Sequence, residues 1–392
     1  RDDVINGPYV DRNPVVGGAC QVWRQPGDGS IPVKSMRSRS KDSTIRYLDC
    51  FSPSLCVLFC MTILGIESSC DETSAAVVKD GTVLSNVISS QLVHTKYGGV
   101  VPELASRAHQ RMILEVVQEA LTTAGCARED LTGIAATHGP GLVGALLVGL
   151  NFGKAMAYAL NIPFVGVNHM EGHLYSNLLT PPVHDFPFLA LVVSGGHTML
   201  VHVTAPFEHR VLGQTRDDAA GEAFDKVAKM LGLGYPGGPK IDAAGKAGNP
   251  KAIRVPRTWL ERDGFDFSFS GIKTAVLYHV RDNGLPATPE GMNDLCASFQ
   301  DAVVDVLVEK TINAARTTGV KDVTVAGGVS ANSRLRNRLK EECGKNGFRL
   351  FHPPMAYCMD NGAMIAYVGW MKLTSGKASP LTLPAVAALE LA

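Results

Sequence analysis

The run Asn168-His169-Met170-Glu171-Gly172-His173 sets two histidines four residues apart. On a helix that spacing puts both imidazoles on one face, where they can chelate a metal ion. The bland alternative is a core or capping histidine. A third ligand would decide between them, and the segment His352 to Asn361 offers Asp360, with Cys358 and His352 as competitors. Two histidines and a carboxylate leave coordination positions open for a substrate. The pattern differs from the metalloprotease signature, in which Glu directly follows the first His. Here Glu171 is displaced by one residue, a rotation of about 100° around a helix.

Three small-residue segments could hold a phosphorylated ligand. In ILGIESSCDETSAAVV the turn carries Ser68, Ser69 and Thr73, and in FPFLALVVSGGHTMLVHV it carries Ser194, Gly195, Gly196 and Thr198. Hydroxyls and closely approaching backbone N–H groups suit phosphate. Either turn alone reads equally as a tight hairpin. A matched pair shifts the reading toward phosphate. In VAGGVSANSRLRNRL, Gly327 and Gly328 close a strand and Asn332 and Ser333 open a helix. Ligands bind at such strand ends, although Asn332 could be a helix cap alone. Asp71 and Glu72 lie inside the first turn, where carboxylates beside phosphate require a cation or a proton. Asp225 and Lys226, with Gly237, Gly238 and Asp242, form a further polar set suited to ribose hydroxyls.

The elements that must position these residues read as an α/β chain from Met61 onward. Strands are expected at ILGIE, AAVVK, TVLSNVI, GIAATHG and KDVTVAGG, with helices at Pro102 to Ala124, Gly144 to Leu160, Asp218 to Leu231, Met292 to Thr317 and Ser333 to Asn346. The two strand-turn-strand units form an internal repeat, which predicts two lobes of similar topology facing a cleft. A length of 392 residues also favours two lobes over one core. Residues 1–60 show no period and read as a disordered extension, with Met61 as the start.

Lys+Arg and Asp+Glu stand at 37 each, so the chain lacks the cation excess of a self-sufficient nucleic-acid binder. Nine cysteines without paired spacing read as reduced, intracellular thiols. The apolar run Leu55 to Ile66 is too short to span a bilayer, and no membrane attachment or secretion is expected.

The segments ILGIESSCDET, PELASRAH, THGPGLVGALLVG, NHMEGHL, VSGGHT, GEAFDKVAKMLGLGYPGG, FSFSGIKTA, GGVSANSRLR and MDNGAMIA together resemble the TsaD family, the universal tRNA threonylcarbamoyltransferases. The resemblance runs from Met61 to Lys372. It implies an actin/Hsp70-like (ASKHA) two-lobed fold with duplicated subdomains, one lobe over 61–166 and the other over 167–372, followed by a tail at 373–392. It implies transfer of threonylcarbamoyl from threonylcarbamoyl-AMP to N6 of adenosine 37 in tRNAs reading codons that begin with A. By the same resemblance His169, His173 and Asp360 are metal ligands for Fe2+, with Zn2+ as a substitute. Val192, Val193, Ser194, Gly195 and Gly196, with Asp225, Gly238, Asp242 and Asn332, form the adenylate pocket. Asp71 and Glu72 are the candidates for handling the amine proton. A TsaB-like paralogue and a TsaE-like ATPase are the implied partners, and the cytoplasm the implied location. The competing readings are a metal-dependent ATPase or small-molecule kinase of the same fold, a glycoprotein endopeptidase, and a scaffolding paralogue without the metal constellation.

Overall fold

A computed structural model of the chain describes residues 9–10, 60–91, 99–260 and 264–391. The expected extension at 1–60 lies outside the described residues, except for β1 (Tyr9–Val10) and Cys60. Among the described cysteines, Cys70, Cys126, Cys296, Cys343 and Cys358 are free thiols.

Two sheets repeat one topology. In the first, β2 (Thr62–Glu67), β3 (Glu72–Lys79) and β4 (Thr82–Ser90) form an antiparallel meander, and β5 (Gly133–Gly139) and β6 (Phe164–Asn168) add in parallel on the other side of β2. The order is β1-β4-β3-β2-β5-β6. In the second, β7 (Phe188–Val193), β8 (Thr198–Ala205) and β9 (Glu208–Gln214) form the meander, and β10 (Asp322–Ala326) and β11 (Arg349–Phe351) add in parallel beside β7. Its order, β11-β10-β7-β8-β9, reproduces that of β6 to β4 strand for strand. The sequence repeat is therefore a structural duplication.

Central strands are buried throughout because helices cover both faces. Alternate residues feed different cores. Along β7, Phe188, Ala190 and Val192 enter a core shared with the first sheet, while Leu189, Leu191 and Val193 enter the core of the second lobe. Outside the first sheet lie α1 (Pro102–Ala124) and α2 (Val143–Leu160). Beyond the second lie α4 (Ala220–Met230), α5 (Gly237–Gly245), α6 (Ser270–Asn283), α7 (Pro289–Thr318) and α8 (Ser333–Asn346). Helix α3 (His169–Tyr175) and α9 (Gly362–Thr374) fill the layer between the sheets.

The bounds of α1 and α8 agree with those expected because local chemistry marks both ends. Pro102 opens α1 and Gly125 closes it at φ 61, while Asn332 caps α8 and Gly347 closes it at φ 72. Helix α9 has an Asn361 cap but no apolar stripe to announce it. It is apolar on nearly all sides because both sheets enclose it, and so shows no amphipathic period.

The tail at 376–391 runs as turns and extended chain along β6 and past the end of β5. Ser379 N–H donates to Phe164 O at 2.8 Å, Val386 N–H to His138 O at 2.8 Å and Gly141 N–H to Ala387 O at 3.0 Å. Helix α2 is long and apolar enough to cross a membrane by length and composition. In this fold its Ala145, Leu146, Gly149, Leu150, Gly153 and Ala157 are buried in the first lobe.

His184 is wholly buried, with its ring 4.1 Å from that of Phe188. Burial pushes its pKa from 6.5 down to about 4. Protonation therefore favours the unfolded chain. The neutral histidine's contribution is complete above pH 6.5 and is lost as pH falls toward 4, an effect of about 3 kcal/mol. Substitution His184→Phe is expected to flatten the fall of Tm over that window. An unchanged Tm profile from pH 7 to 4 would place the acid-sensitive group elsewhere.

Candidate active site

The candidate metal ligands come from two elements that the fold forces together. Strand β6 runs directly into α3, with Asn168 ending one and capping the other: its Oδ1 accepts Met170 N–H at 2.8 Å and its Nδ2 donates to Glu390 O at 3.0 Å. His169 and His173 follow one turn apart, their rings edge to face at 4.7 Å. Asp360 arrives from the far end of the chain on the lead into α9. That helix start is seated on the first sheet, where Ser74 Oγ accepts Gly362 N–H at 2.7 Å and Asn86 Oδ1 accepts Ala363 N–H at 3.2 Å. Asn361 caps α9 through Met364 N–H at 3.0 Å.

Asp360 Oδ1 lies 3.4 Å from His169 Nε2 and 3.0 Å from His173 Nε2. Among the described residues these three form the one group placed to bind a metal, with ligand atoms all within 4.8 Å of one another. Of the competitors, His352 is exposed, and Cys358 turns its thiol to Arg336 and the Pro354 carbonyl. His173 is wholly buried without an aligned hydrogen bond at either ring nitrogen, an unmet demand that a cation at Nε2 would satisfy. The two imidazoles and one carboxylate suit iron or zinc.

Burial alone would raise the Asp360 carboxyl, but the attraction of His169 and contacts from both histidines hold it well below the usual range. Burial alone would lower His169, but Asp360 and Glu67 hold it well above its usual range. Such a cluster keeps its carboxylate ionised and favours positive charge between the ligands.

The cleft beside these ligands encloses ≈ 800 Å³. It lies at the C-terminal ends of the parallel strands of both sheets, where α/β folds place ligands. Asp71 and Glu72 line it from the first lobe; Ser194, Gly195, Gly196, Asp225 and Gly328 line it from the second, with His169 and Asp360 at its base. At Gly195, Gly196, Gly238 and Gly328 an added Cβ would meet nothing within 4 Å, so the backbone is open to close approach. Gly327 differs: at φ 88 its Cβ position presses on Val193 backbone. That glycine serves the approach of β10 to β7.

Other candidates are engaged in holding the frame. The Val192 and Val193 side chains are buried in opposite cores, so only their backbone can serve a ligand. Asp242 Oδ1 accepts Ser333 Oγ–H at 2.8 Å, and Asn332 caps α8 through Leu335 N–H at 3.0 Å while donating to Gln300 Oε1 at 2.8 Å. Asp225 accepts Gly237 N–H at 2.7 Å. The hydroxyls of the first turn are also spent. Ser68 Oγ–H donates to Ala145 O at 2.9 Å, and Thr73 Oγ1 pairs with His109 Nδ1 at 2.8 Å. What the first turn presents to the cleft is its carboxylates and backbone.

Burial, then repulsion from Asp71 and Asp360, raises Glu72 well above the ordinary carboxyl range. Burial and the same acidic neighbours push the Cys70 thiol far up, which removes it as a nucleophile. His197 also lines the cleft, a position the sequence reading passed over although it stands in the quoted VSGGHT. Burial, aided by His169 and His173, lowers it to about 4, so it stays neutral at pH 7. Glu171 is tied to Lys372 Nζ at 2.5 Å, both largely buried and neither lining the cleft. It cannot activate water beside the ligands, which disposes of the protease geometry.

Residues 82–367 match the family described as TsaD, tRNA N6-adenosine threonylcarbamoyltransferase. The protein of that name from Salinibacter ruber is 56% identical over 336 residues, covering 84% of this chain and 100% of the relative. That from Syntrophotalea carbinolica is 56% identical over 327 residues, covering 83% and 95%. Among solved structures, full-length HypF in the phosphate- and nucleotide-bound form aligns with TM-score 0.55 at 13% identity, over 81% of this chain and 47% of that one. HypF of T. kodakarensis aligns with TM-score 0.53 at 15% identity, over 81% and 48%. At such identities the likeness carries the fold alone, which is the actin/Hsp70-like two-lobed type. With two duplicated lobes, most of the family's segments gathered at one cleft and 56% identity over 336 aligned residues to an enzyme of that name, the chain belongs to the TsaD family of tRNA N6-adenosine threonylcarbamoyltransferases.

Proposed function

We propose that this enzyme transfers the threonylcarbamoyl group from threonylcarbamoyl-AMP to N6 of adenosine 37 in tRNAs reading codons that begin with A. The observation that carries the reading is the convergence of His169, His173 and Asp360 with the two small-residue turns on one cleft of this family's fold. A kinase or ATPase would use the turns but has no need of the histidines.

The N6 amine of adenine is a weak nucleophile, so the carbamoyl carbon must be held, polarised and given a leaving group. His169, His173 and Asp360 would hold Fe2+, or Zn2+ in its place, as a Lewis acid that anchors the threonylcarbamoyl group. The open backbone at Gly195 and Gly196 would take the adenylate phosphate, and Asp225 the ribose. As N6 bonds to the carbamoyl carbon, the bond to the phosphate oxygen breaks, AMP leaves, and the N6 proton passes to Asp71 or Glu72. The raised affinity of Glu72 for a proton fits that task.

An Asp71→Asn/Glu72→Gln protein is therefore expected to keep its metal and lose about 10²- to 10⁴-fold of its single-turnover rate. Full activity with intact metal would remove both carboxylates from the chemistry. The reaction itself is tested by mass spectrometry of nucleosides from tRNA incubated with the protein, its partners, threonine, bicarbonate and ATP. Appearance of threonylcarbamoyladenosine supports the reading, and its absence with metal bound and partners active returns the site to nucleotide hydrolysis or phosphoryl transfer.

The partners we propose are a TsaB-like paralogue and a TsaE-like ATPase, acting with the enzyme on tRNA in the cytoplasm. Two observations support the need for partners: the zero formal net charge, which makes unaided tRNA binding weak, and the exposure of Leu114, Leu147 and Tyr158 on α1 and α2.

A further inference from the structure

We propose that Glu67 is a positioning residue that ties the metal-binding histidine to the acidic turn of the cleft; the proposal rests on the metal-centre reading above. Glu67 ends β2 and is wholly buried. Its two oxygens serve different parts of the site. Oε1 accepts the backbone N–H of Ser69 at 2.5 Å, the residue that opens the turn bearing Asp71 and Glu72. Oε2 accepts Thr137 Oγ1–H at 2.6 Å and lies 3.0 Å from His169 Nδ1.

A carboxylate only accepts hydrogen bonds, so its contact with His169 puts the proton on Nδ1. When a cation displaces the Nε2 proton, that nitrogen is directed at the metal position between His173 and Asp360. Ligating histidines are commonly oriented by such a partner. Here the partner has a second duty. Ser69 Oγ also approaches His169 Nδ1 at 3.2 Å, and Ser69 O accepts Leu142 N–H at 2.8 Å from the loop that leads into α2 and also lines the cleft. A displacement of His169 is thus passed through Glu67 to the turn that carries the carboxylates. Metal binding and the geometry of that turn are coupled, and by linkage the coupling acts in both directions.

Glutamine at this position can accept through one atom only, so its amide must point a donor either at Ser69 N–H or at His169 Nδ1–H. With Zn2+ as the probe and the full chain in competition with a chromophoric chelator, Glu67→Gln is expected to weaken metal binding about 10- to 100-fold. A folded Glu67→Gln protein with wild-type zinc affinity overturns the proposal.

The second measurement needs no variant at Glu67. In zinc-loaded wild-type protein with nitrogen-15-labelled histidine, and the His169 signals assigned by comparison with His169→Gln, the proton should sit on Nδ1 and the metal on Nε2. Zinc on Nδ1 of His169 overturns the proposal even where Glu67→Gln does not fold. A wild-type chain that binds no zinc overturns the metal-centre reading and this proposal together, whereas zinc bound with the wrong tautomer overturns only the latter.

Discussion

Replacing His169 and His173 together by alanine is expected to abolish metal binding and to lower threonylcarbamoyladenosine formation by more than about 100-fold, beyond the loss usual for an outer partner of a ligand. The reason is geometric. Asp360 alone is one exposed-edge carboxylate, 20% accessible, and supplies a single oxygen. Both nitrogen ligands stand on one short helix, so no neighbouring side chain can replace them. Metal content by elemental analysis and product by nucleoside mass spectrometry check the two halves separately. Retained stoichiometric metal would mean that the ligands lie elsewhere; lost metal with retained product would remove the metal from the reaction. Two buried imidazoles also leave cavities, so a melting curve must accompany the assay.

Gly65→Ala is expected to be among the most damaging single-methyl additions outside the cleft. A Cβ at Gly65 would lie 2.5 Å from Gly362 O and still closer to Ala366 N, so the backbone of α9 rests directly on β2. Backbone cannot rotate away as a side chain can. The helix must lift, at a cost of about 3 kcal/mol or more. Because Asp360 leads into α9, the same movement draws the third ligand off the histidines. A Tm several degrees below wild type and weakened zinc affinity should appear together. Gly195→Ala is the contrast: its Cβ position is open, so stability should stay within about 0.5 kcal/mol while the methyl crowds the turn proposed for the phosphate. Equal Tm values for wild type and Gly65→Ala would show that α9 seats differently.

The duplication was legible because it is written in local pattern. Strand-turn-strand occurs twice with the same residue classes, and each repeat is buried on both faces, so each reads as an apolar run ending in small polar residues. The histidine pair was legible for a similar reason, since four-residue spacing on a helix is itself a contact. The third member of that cluster was not. Asp360, Cys358 and His352 lie within nine residues of one another and are chemically comparable. Only the seating of α9 on Ser74 and Asn86 turns Asp360 inward and leaves Cys358 to Arg336.

Side-chain roles inside the turns were also beyond the sequence. Ser68 and Thr73 have the chemistry of phosphate ligands, yet the close packing of α2 and α1 claims their hydroxyls. Glu67 reads as the polar end of an apolar strand until Thr137 and His169, each at least 70 residues away, close around it. By itself the sequence determined the residue classes, the periodicities and the repeat, because these depend on neighbours a few positions apart. The tertiary structure decided which carboxylate joins the histidines, which hydroxyls stay free and where α9 lies, because those outcomes depend on backbone approaches between segments up to 288 residues apart.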